Sequence, residues 1–353
     1  MLAARARLVA CALSFVIASS ATVAGAQVPV KLDPNGVSLA AYGGWSAWSR
    51  ADAATGEQAL VIRSPQGTIT LAPVPESAAP FDVELGPSGS HVAAVYSRCA
   101  NATTRQGCHI ALLLLGVARA TERTLTPPGG GSNHEPAIWQ SHLVFLRRNT
   151  SGGSEDPTHP GRRPDGLYAW SIGSRKLQSL TLPASRGSNG LGGESWPAGL
   201  TGLITGLGFN GQQVAYVTDN LAGTFGETTL WFEPLQGGHP ELIDQETGGA
   251  GNVCPPAFIS PVLSGPWLYA YLHACDPSAN PGLDRLTRYR HGQVQRARYT
   301  FIHSGDEGIT SAVPDGSGVE WDAYGVERLA SVPWQTIAAP VAQTFCSRSD
   351  PFC

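Results

Sequence analysis

One short phrase recurs along the whole chain, and it constrains the fold more than any other feature. A polar or glycine-containing turn is followed by an apolar strand, as in "LGPSGSHVAAVYSRC" (85–99). Further copies are "YGGWSAWSR" (42–50), "WQSHLVFLRRN" (139–149), "FNGQQVAYVTDN" (209–220), "SGPWLYAYLHAC" (264–275) and "DGSGVEWDAYG" (315–325). Each phrase predicts the turn and second strand of a hairpin. The second strands begin near Trp45, His91, His142, Gln213, Trp267 and Val319, at intervals of 46, 51, 71, 54 and 52 residues. These intervals are typical of four-stranded propeller blades.

Third and fourth strands follow the phrase in most units. They are "HIALLLLG" with "TERTLTP", "GLYAWSIG" with "KLQSLTL", and "TTLWFEPL" with "PELIDQ". The sequence therefore predicts an all-β fold, a six-bladed β-propeller of four-stranded antiparallel blades over residues 27–340, in which "VPVKL" (28–32) completes the last blade. The 42 glycines, 27 prolines and 14% charged residues suit short strands and turns. A pair of β-sandwiches is the alternative.

These units resemble the repeat of the TolB-like, or WD40-like PD40, six-bladed propeller family. "GPSGSHVAAVYS", "FNGQQVAYVTD" and "PDGSGVEWDAY" are similar to the first half of that repeat, and "DGLYAWSIGS" and "TTLWFEPLQGG" to the second. The resemblance extends over nearly all of residues 27–340. It departs from TolB itself in one respect, because the first copy begins at Tyr42, soon after the predicted signal, and no N-terminal α/β domain is expected. Propellers of this kind serve many functions, so the resemblance implies the fold and not the activity.

Residues 1–26 are predicted to be a secretion signal peptide. Arg5 and Arg7 precede an apolar stretch, and Ala24-Gly25-Ala26 offers small residues for cleavage before Gln27. A lipobox ending at Cys11 is the alternative. We expect a protein that is secreted or located in the periplasm or cell envelope, with no membrane span after cleavage. The formal net charge of −4, without a basic cluster, argues against a nucleic-acid partner.

Six cysteines remain after the signal, and the strand pattern favours one pairing among the 15 possible. Cys99 and Cys108 lie four and five residues from Thr103, and Cys254 and Cys275 lie equally far from the turn at 264–265. Residues opposed in this way across a hairpin can have the spacing that a disulfide needs. Cys346 and Cys353 then pair within the C-terminal tail, residues 341–353. A metal site is the competing interpretation, but the chain has no CxxC pair.

The predicted blades separate their connections into two groups at opposite ends of the propeller. Turns between first and second strands are tight, whereas the second-to-third loops and the links between blades are longer. The longer group is 149–166, 183–202, 127–136, 219–227 and 275–282. Binding sites concentrate in loops held by a rigid scaffold. The candidate binding residues at this end are His134, Glu135, Glu194, Trp196, Asp306 and Glu307.

The long loops and the candidate binding residues at this end predict a non-catalytic binding scaffold for a protein, peptide or glycan ligand. The chain has no GxSxG and no HExxH motif. No cofactor is expected, and the protein is expected to be a monomer. One alternative is a calcium-dependent hydrolase, lactonase or lyase at the channel mouth. In that case Glu135, Glu194, Asp306 or Glu307 would hold Ca²⁺ and His134 would act as base. A structural ring within an envelope assembly is a third hypothesis.

Overall fold

A computed structural model of the 353-residue chain describes thirteen segments. They are residues 30–101, 105–148, 165–183, 203–222, 225–247, 257–264, 267–273, 285–290, 296–300, 309–315, 318–323, 329–333 and 341–343. The predicted signal peptide and the cysteines Cys254, Cys275, Cys346 and Cys353 lie outside these segments. Within them, no helix has the length and apolar character needed to cross a membrane.

The described secondary structure consists of β-strands. In chain order they are β1 (Val30–Asp33), β2 (Gly36–Tyr42), β3 (Trp45–Ala51), β4 (Gln58–Arg63), β5 (Ile69–Leu71), β6 (Glu84–Ser88), β7 (His91–Arg98), β8 (His109–Leu115), β9 (Arg123–Leu125), β10 (Asn133–Trp139), β11 (His142–Arg147), β12 (Gly166–Ser171), β13 (Leu177–Ser179), β14 (Leu203–Phe209), β15 (Gln213–Ala222), β16 (Phe225–Pro234), β17 (Glu241–Thr247), β18 (Ala257–Ser264), β19 (Trp267–His273), β20 (Arg285–Arg290), β21 (Arg296–Thr300), β22 (Ile309–Asp315), β23 (Gly318–Ala323), β24 (Leu329–Pro333) and β25 (Val341–Gln343).

The described strands form six antiparallel sheets, numbered here along the chain. Sheets 1 to 4 are β2–β5, β6–β9, β10–β13 and β14–β17. Sheet 5 contains β18–β21 with β25 on its outer edge, and sheet 6 has the order β1-β24-β23-β22. The first strands β2, β6, β10, β14, β18 and β22 contact one another in that order, and β22 returns to β2. The architecture is an all-β propeller fold of four-stranded antiparallel blades.

The predicted second strands agree closely with the structure. Five of them, β3, β7, β11, β15 and β19, begin at the predicted residues, and β23 begins one residue before Val319. The N-terminal strand β1 pairs with β24, as the "VPVKL" segment predicted. Strand β25 pairs with β21 at the start of the region expected to be a tail, and the sequence did not indicate this pairing.

The predicted loop 127–136 extends four residues into β10, which begins at Asn133, and the predicted loop 219–227 is wrong. Residues 219–227 were expected to connect two strands, but the structure extends β15 to Ala222 and starts β16 at Phe225. The two strands stay paired to the Ala222–Phe225 position. Gly226, which falls within the predicted loop, is a residue of β16 and pairs with Leu221.

The hydrophobic core lies between neighbouring sheets, in clusters that combine side chains from two sheets. Residues from sheets 1 and 2 form one cluster, which includes Leu60, Phe81 and Tyr96. Further clusters join sheets 2 and 3, sheets 3 and 4, and sheets 4 and 5. A fifth joins sheets 6 and 1 through Val313 and the fully buried Trp48. This pattern explains why strands such as β8, "HIALLLL", are apolar without alternation.

A buried carboxylate lies between sheets 3 and 4. Glu233 of β16 is 2% exposed, and its Oε1 accepts a hydrogen bond of 3.2 Å from the Thr181 amide. Its Oε2 has no hydrogen-bond partner among the described residues. Burial raises the pKa of Glu233 to about 7, and the Thr181 amide offsets part of this rise. Burial and the nearby Glu233 also raise the pKa of Tyr216.

The raised pKa of Glu233 predicts a pH dependence of stability. The unfolded carboxyl ionises near pH 4.5, but the folded one ionises only near pH 7. The stability present below pH 4.5 is therefore lost as the pH rises to 7, by at most about 3 kcal/mol. We expect Glu233→Gln to remove this part of the decline, as measured by urea unfolding at pH 4.5, 6 and 8. The exposed Glu241 is the control, and Glu241→Gln should keep the wild-type slope. An unchanged slope in Glu233→Gln would show that Glu233 is not the group responsible.

Candidate functional site

The two ends of the propeller differ in the lengths of the connections between the described strands. We call the end with the first-to-second strand turns the turn end. There the strands are joined by the short turns 43–44, 89–90, 140–141 and 210–212. We call the opposite end the loop end. It carries two much longer connections, 148–165 between β11 and β12 and 180–202 between β13 and β14.

At the turn end, two aromatic side chains from non-adjacent sheets meet. Tyr42 ends β2 in sheet 1, and Trp139 ends β10 in sheet 3. Their rings lie edge to face with centroids 5.6 Å apart. Gly211 of the sheet 4 turn lies under the same indole, since a Cβ there would come within 2.2 Å of Trp139 Cδ1. Side chains of sheets 1 and 3 and the turn of sheet 4 therefore converge at this end.

At the loop end, Asp82 is the centre of a polar cluster between sheets 2 and 3. Its Oδ1 accepts the Ser97 amide, and its Oδ2 accepts the Ser97 hydroxyl, both at 2.5 Å. The same Oδ2 accepts Arg105 Nη1 at 2.9 Å and the Glu135 amide at 2.7 Å. The Asp82 carboxylate, whose side chain is 8% exposed, thus fixes both β7 and β10.

Glu135 lies at an irregularity of the inner strand β10. The register shifts between His134 and Ala137, and Glu135 has a positive φ of 47°. Such a bulge redirects a side chain out of the strand pattern. Glu135 Oε1 then accepts Arg105 Nη2 at 3.2 Å. Burial raises the pKa of Glu135, while Arg105 and His134 lower it.

His134 is buried beside a second acidic residue. It is 2% exposed, and its Nε2 lies 3.0 Å from Asp165 Oδ2. Its Nδ1 has no hydrogen-bond partner within the described segments. Asp165 is the residue at which the 148–165 connection enters β12. The His134 ring therefore ties that connection to the inner strand.

Glu84 completes the cluster. Burial raises the pKa of Glu84 to about 8, the Leu85 amide opposes the rise, and the charges of Glu135 and Asp82 add to it. The raised pKa favours the protonated form of Glu84. The group can exchange a proton or donate a hydrogen bond, and a cationic group placed beside it would favour its ionised form.

Two further contacts hold the loop end together. The predicted disulfide between Cys99 and Cys108 is confirmed. The two cysteines are the next opposed residues after Arg98 and His109, the last pair of the β7–β8 ladder. Arg147 holds the 127–132 segment, because its guanidinium donates to the Pro128 carbonyl at 2.9 Å and to Asn133 Oδ1 at 2.8 Å.

The structure places the predicted site residues as follows. His134 and Glu135 are brought together with Asp82 and Asp165, but they lie inside β10 and not before it, because the strand bulges where a loop was expected. Glu194, Trp196, Asp306 and Glu307 lie outside the described segments. Among the described residues, no three His, Cys, Asp or Glu side chains are arranged to hold a metal ion.

Sequence reasoning missed Asp82, Glu84, Arg105 and Asp165. One signal was present, since "FDVEL" (81–85) places two carboxylates with one residue between them at the start of a repeat unit. Arg105, which contacts Asp82 and Glu135, comes from the connection between β7 and β8. Only the folded arrangement of these strands shows that these three groups meet.

Comparison with known proteins yields solved structures of low similarity. TolB from Acinetobacter baumannii is 13% identical with a TM-score of 0.44, over 86% of this chain and 66% of that one. The β-propeller domain of the Trilobed protease from Pyrococcus furiosus is 10% identical with a TM-score of 0.42, over 88% and 83%. Polysaccharide lyase Uly1 is 11% identical with a TM-score of 0.38, over 85% and 89%. No family model and no curated protein sequence matches the chain.

Proposed function

We propose that this protein is a secreted or cell-envelope six-bladed β-propeller that binds a protein, peptide or glycan through its loop end, without catalysis. The difference in connection length between the turn end and the loop end of the propeller supports this proposal. At the turn end, side chains of sheets 1 and 3 meet over short turns. At the loop end, two long connections, 148–165 and 180–202, separate consecutive strands, and Asp165, the last residue of the first connection, belongs to the polar cluster through its contact with His134.

The six-bladed ring in this proposal rests on the sheet arrangement. Six sheets among the described strands and the cyclic order of their first strands support it. The pairing of β1 with β24 supports it further, since joining the two ends of the chain in one sheet is a way to close a ring. Export is supported by the Cys99–Cys108 disulfide, because such bonds persist in oxidising compartments.

The polar cluster also favours one kind of contact. Among the described residues, Asp82, Glu84, Glu135 and Asp165 provide four carboxyl groups, and the cluster also contains the guanidinium of Arg105 and the buried imidazole of His134. A ligand that offers basic or hydrogen-bond-donating groups would find complementary partners here. Among the ligand classes proposed, a peptide or protein segment with Lys or Arg fits this balance best.

The experiment uses two matched sets of variants. Mature protein is screened against a displayed random peptide library and a glycan array. Each hit is retested on variants whose 149–164 and 185–201 segments are replaced by Gly-Ser linkers. The controls, Ser90→Lys and Ser141→Lys, alter exposed residues of the turn end. We expect the loop replacements to weaken binding at least about tenfold, a loss of about 1.4 kcal/mol, and the controls to leave it unchanged. Binding that survives both replacements would overturn the proposal.

The alternative, a calcium-dependent hydrolase or lyase, has a separate test. The carboxylates at the loop end are the observation in its favour. Native mass spectrometry and a melting curve with and without EDTA distinguish the two functions. A binding scaffold predicts a metal-free mass and an unchanged melting temperature, whereas bound calcium and a lower melting temperature on chelation would favour the hydrolase.

A further inference from the structure

The connection between β7 and β8 carries a basic residue onto the acidic cluster. Arg105 Nη1 contacts Asp82 Oδ2 at 2.9 Å, and Nη2 contacts Glu135 Oε1 at 3.2 Å. Asp82 belongs to sheet 2 and Glu135 to sheet 3. The Arg105 side chain is 30% exposed, so this bridge lies at the surface of the loop end.

The backbone of Arg105 is also fixed by hydrogen bonding. The Ser132 hydroxyl donates to the Arg105 carbonyl at 2.7 Å and accepts the Cys108 amide at 2.8 Å. Arg105 has a left-handed φ of 51°, which a side chain other than glycine adopts only when its surroundings enforce it. The enforcing contacts are clustered around Cys108.

The disulfide supplies the remaining constraint. The β7–β8 ladder ends at the pair Arg98 and His109, so the chain beyond it is closed by the Cys99–Cys108 bond and by an isolated pairing of Asn101 with Gln106. Cys108 is 3% exposed, whereas Cys99 is half-buried, so a reductant can approach the bond from the Cys99 side.

We propose that the Cys99–Cys108 disulfide is a redox switch for the Arg105 bridge between sheets 2 and 3. In the oxidised protein the closed connection holds Arg105 against Asp82 and Glu135. A dithiol reductant transfers two electrons and two protons to the bond, which leaves thiols on Cys99 and Cys108 and converts the reductant to its cyclic disulfide. The opened connection then loses the left-handed conformation at Arg105.

The consequence is a change in the charge of the loop end. In the part of the chain that the structure describes, the charged and titratable groups around the bridge are Asp82, Glu84, Arg105, His134, Glu135 and Asp165. When Arg105 leaves, the carboxylates of Asp82 and Glu135 lose their shared guanidinium. In the oxidised protein the Arg105 guanidinium occupies the carboxylates of Asp82 and Glu135. In the reduced protein these two carboxylates can bind a cationic group of a ligand. The proposed switch does not depend on which ligand the protein binds.

Trypsin provides the test, because it cleaves after Arg105 only when that residue is released. Cleavage at Arg105–Gln106 is followed by mass spectrometry in the wild type, Cys99→Ala and Cys99→Ala/Cys108→Ala. Cleavage at Arg123–Thr124 in β9 of the same sheet is the internal control. We expect both cysteine variants to be cleaved at Arg105 at least about tenfold faster than wild type, with the rate at Arg123 unchanged.

A second comparison shows whether the disulfide acts through the bridge. Glu135→Gln should accelerate cleavage at Arg105 several-fold with the disulfide intact, but by less than about twofold in the double cysteine variant. Equal acceleration in both backgrounds would overturn the proposal, as would an unchanged rate in the cysteine variants. A parallel rise at Arg123 would also overturn it, because the disulfide would then hold the sheet and not the Arg105 bridge.

Discussion

Gly86→Ala and Gly208→Ala are each expected to destabilise the protein by about 2–3 kcal/mol. Both glycines lie in first strands, where the next sheet approaches most closely. A Cβ on Gly86 would lie 2.0 Å from the Ile138 carbonyl oxygen, and one on Gly208 would lie 2.1 Å from the Pro261 carbonyl oxygen. Because both obstacles are backbone atoms, the strands themselves must move apart.

The competing effect of these substitutions is smaller. Replacing glycine by alanine reduces the entropy of the unfolded chain, which stabilises a protein by about 0.4–1 kcal/mol where the residue fits. Gly173 is the matched control, since nothing lies within 4 Å of a Cβ built there. Urea unfolding should show a loss for Gly86→Ala and Gly208→Ala and no loss for Gly173→Ala. Equal stabilities for all three variants would contradict the close packing of neighbouring first strands.

Asp33→Ala is expected to cost about 3 kcal/mol or more, because Asp33 joins the last sheet to the first. It ends β1 and is 2% exposed. Its Oδ2 accepts Trp48 Nε1 at 2.8 Å and Arg50 Nε at 2.5 Å, both from β3. Its Oδ1 accepts the Asn35 amide at 3.0 Å. Removing the carboxylate leaves the buried indole N–H and the guanidinium without their acceptor.

The control for Asp33 is an aspartate of sheet 1 with a different environment. Asp52 accepts the amides of Ala54 and Thr55 in an exposed turn. Asp52→Ala should therefore have a much smaller effect on the urea midpoint. Asp33→Ala should also accelerate hydrogen exchange in β1 and β24, which form the closing pair. If Asp33→Ala and Asp52→Ala were equally stable, the ring would not depend on this contact.

The elements that could be predicted from the sequence are those that local residues determine. The starts of β3, β7 and β11 follow tight turns that contain Gly43-Gly44, Gly89-Ser90 and Gln140-Ser141, so their positions can be read directly. The Cys99–Cys108 pairing was predictable for the same reason, because the hairpin between β7 and β8 is symmetric about the loop. Hydrophobic strands and turn residues carry this information within a single hairpin.

The parts that could not be predicted depend on contacts between distant segments. The contact of Glu135 with Arg105 joins β10 to the β7–β8 connection of the preceding sheet, and nothing in "NHEPAIW" alone places these two residues together. The buried Glu233 has an ordinary sequence context in "WFEPL", and only the neighbouring sheet shows that it is enclosed. The pairing of β25 with β21 joins segments that are separated in the chain by the whole of β22, β23 and β24.

The central claim is that ligands bind at the loop end, and hydrogen–deuterium exchange with a bound peptide from the library screen tests it most directly. The account predicts slower exchange on binding in residues 132–136 and in the connections 148–165 and 180–202. It predicts no change in the turns at 43–44, 89–90 and 140–141. Protection confined to those turns would contradict the account and place the binding surface at the opposite end.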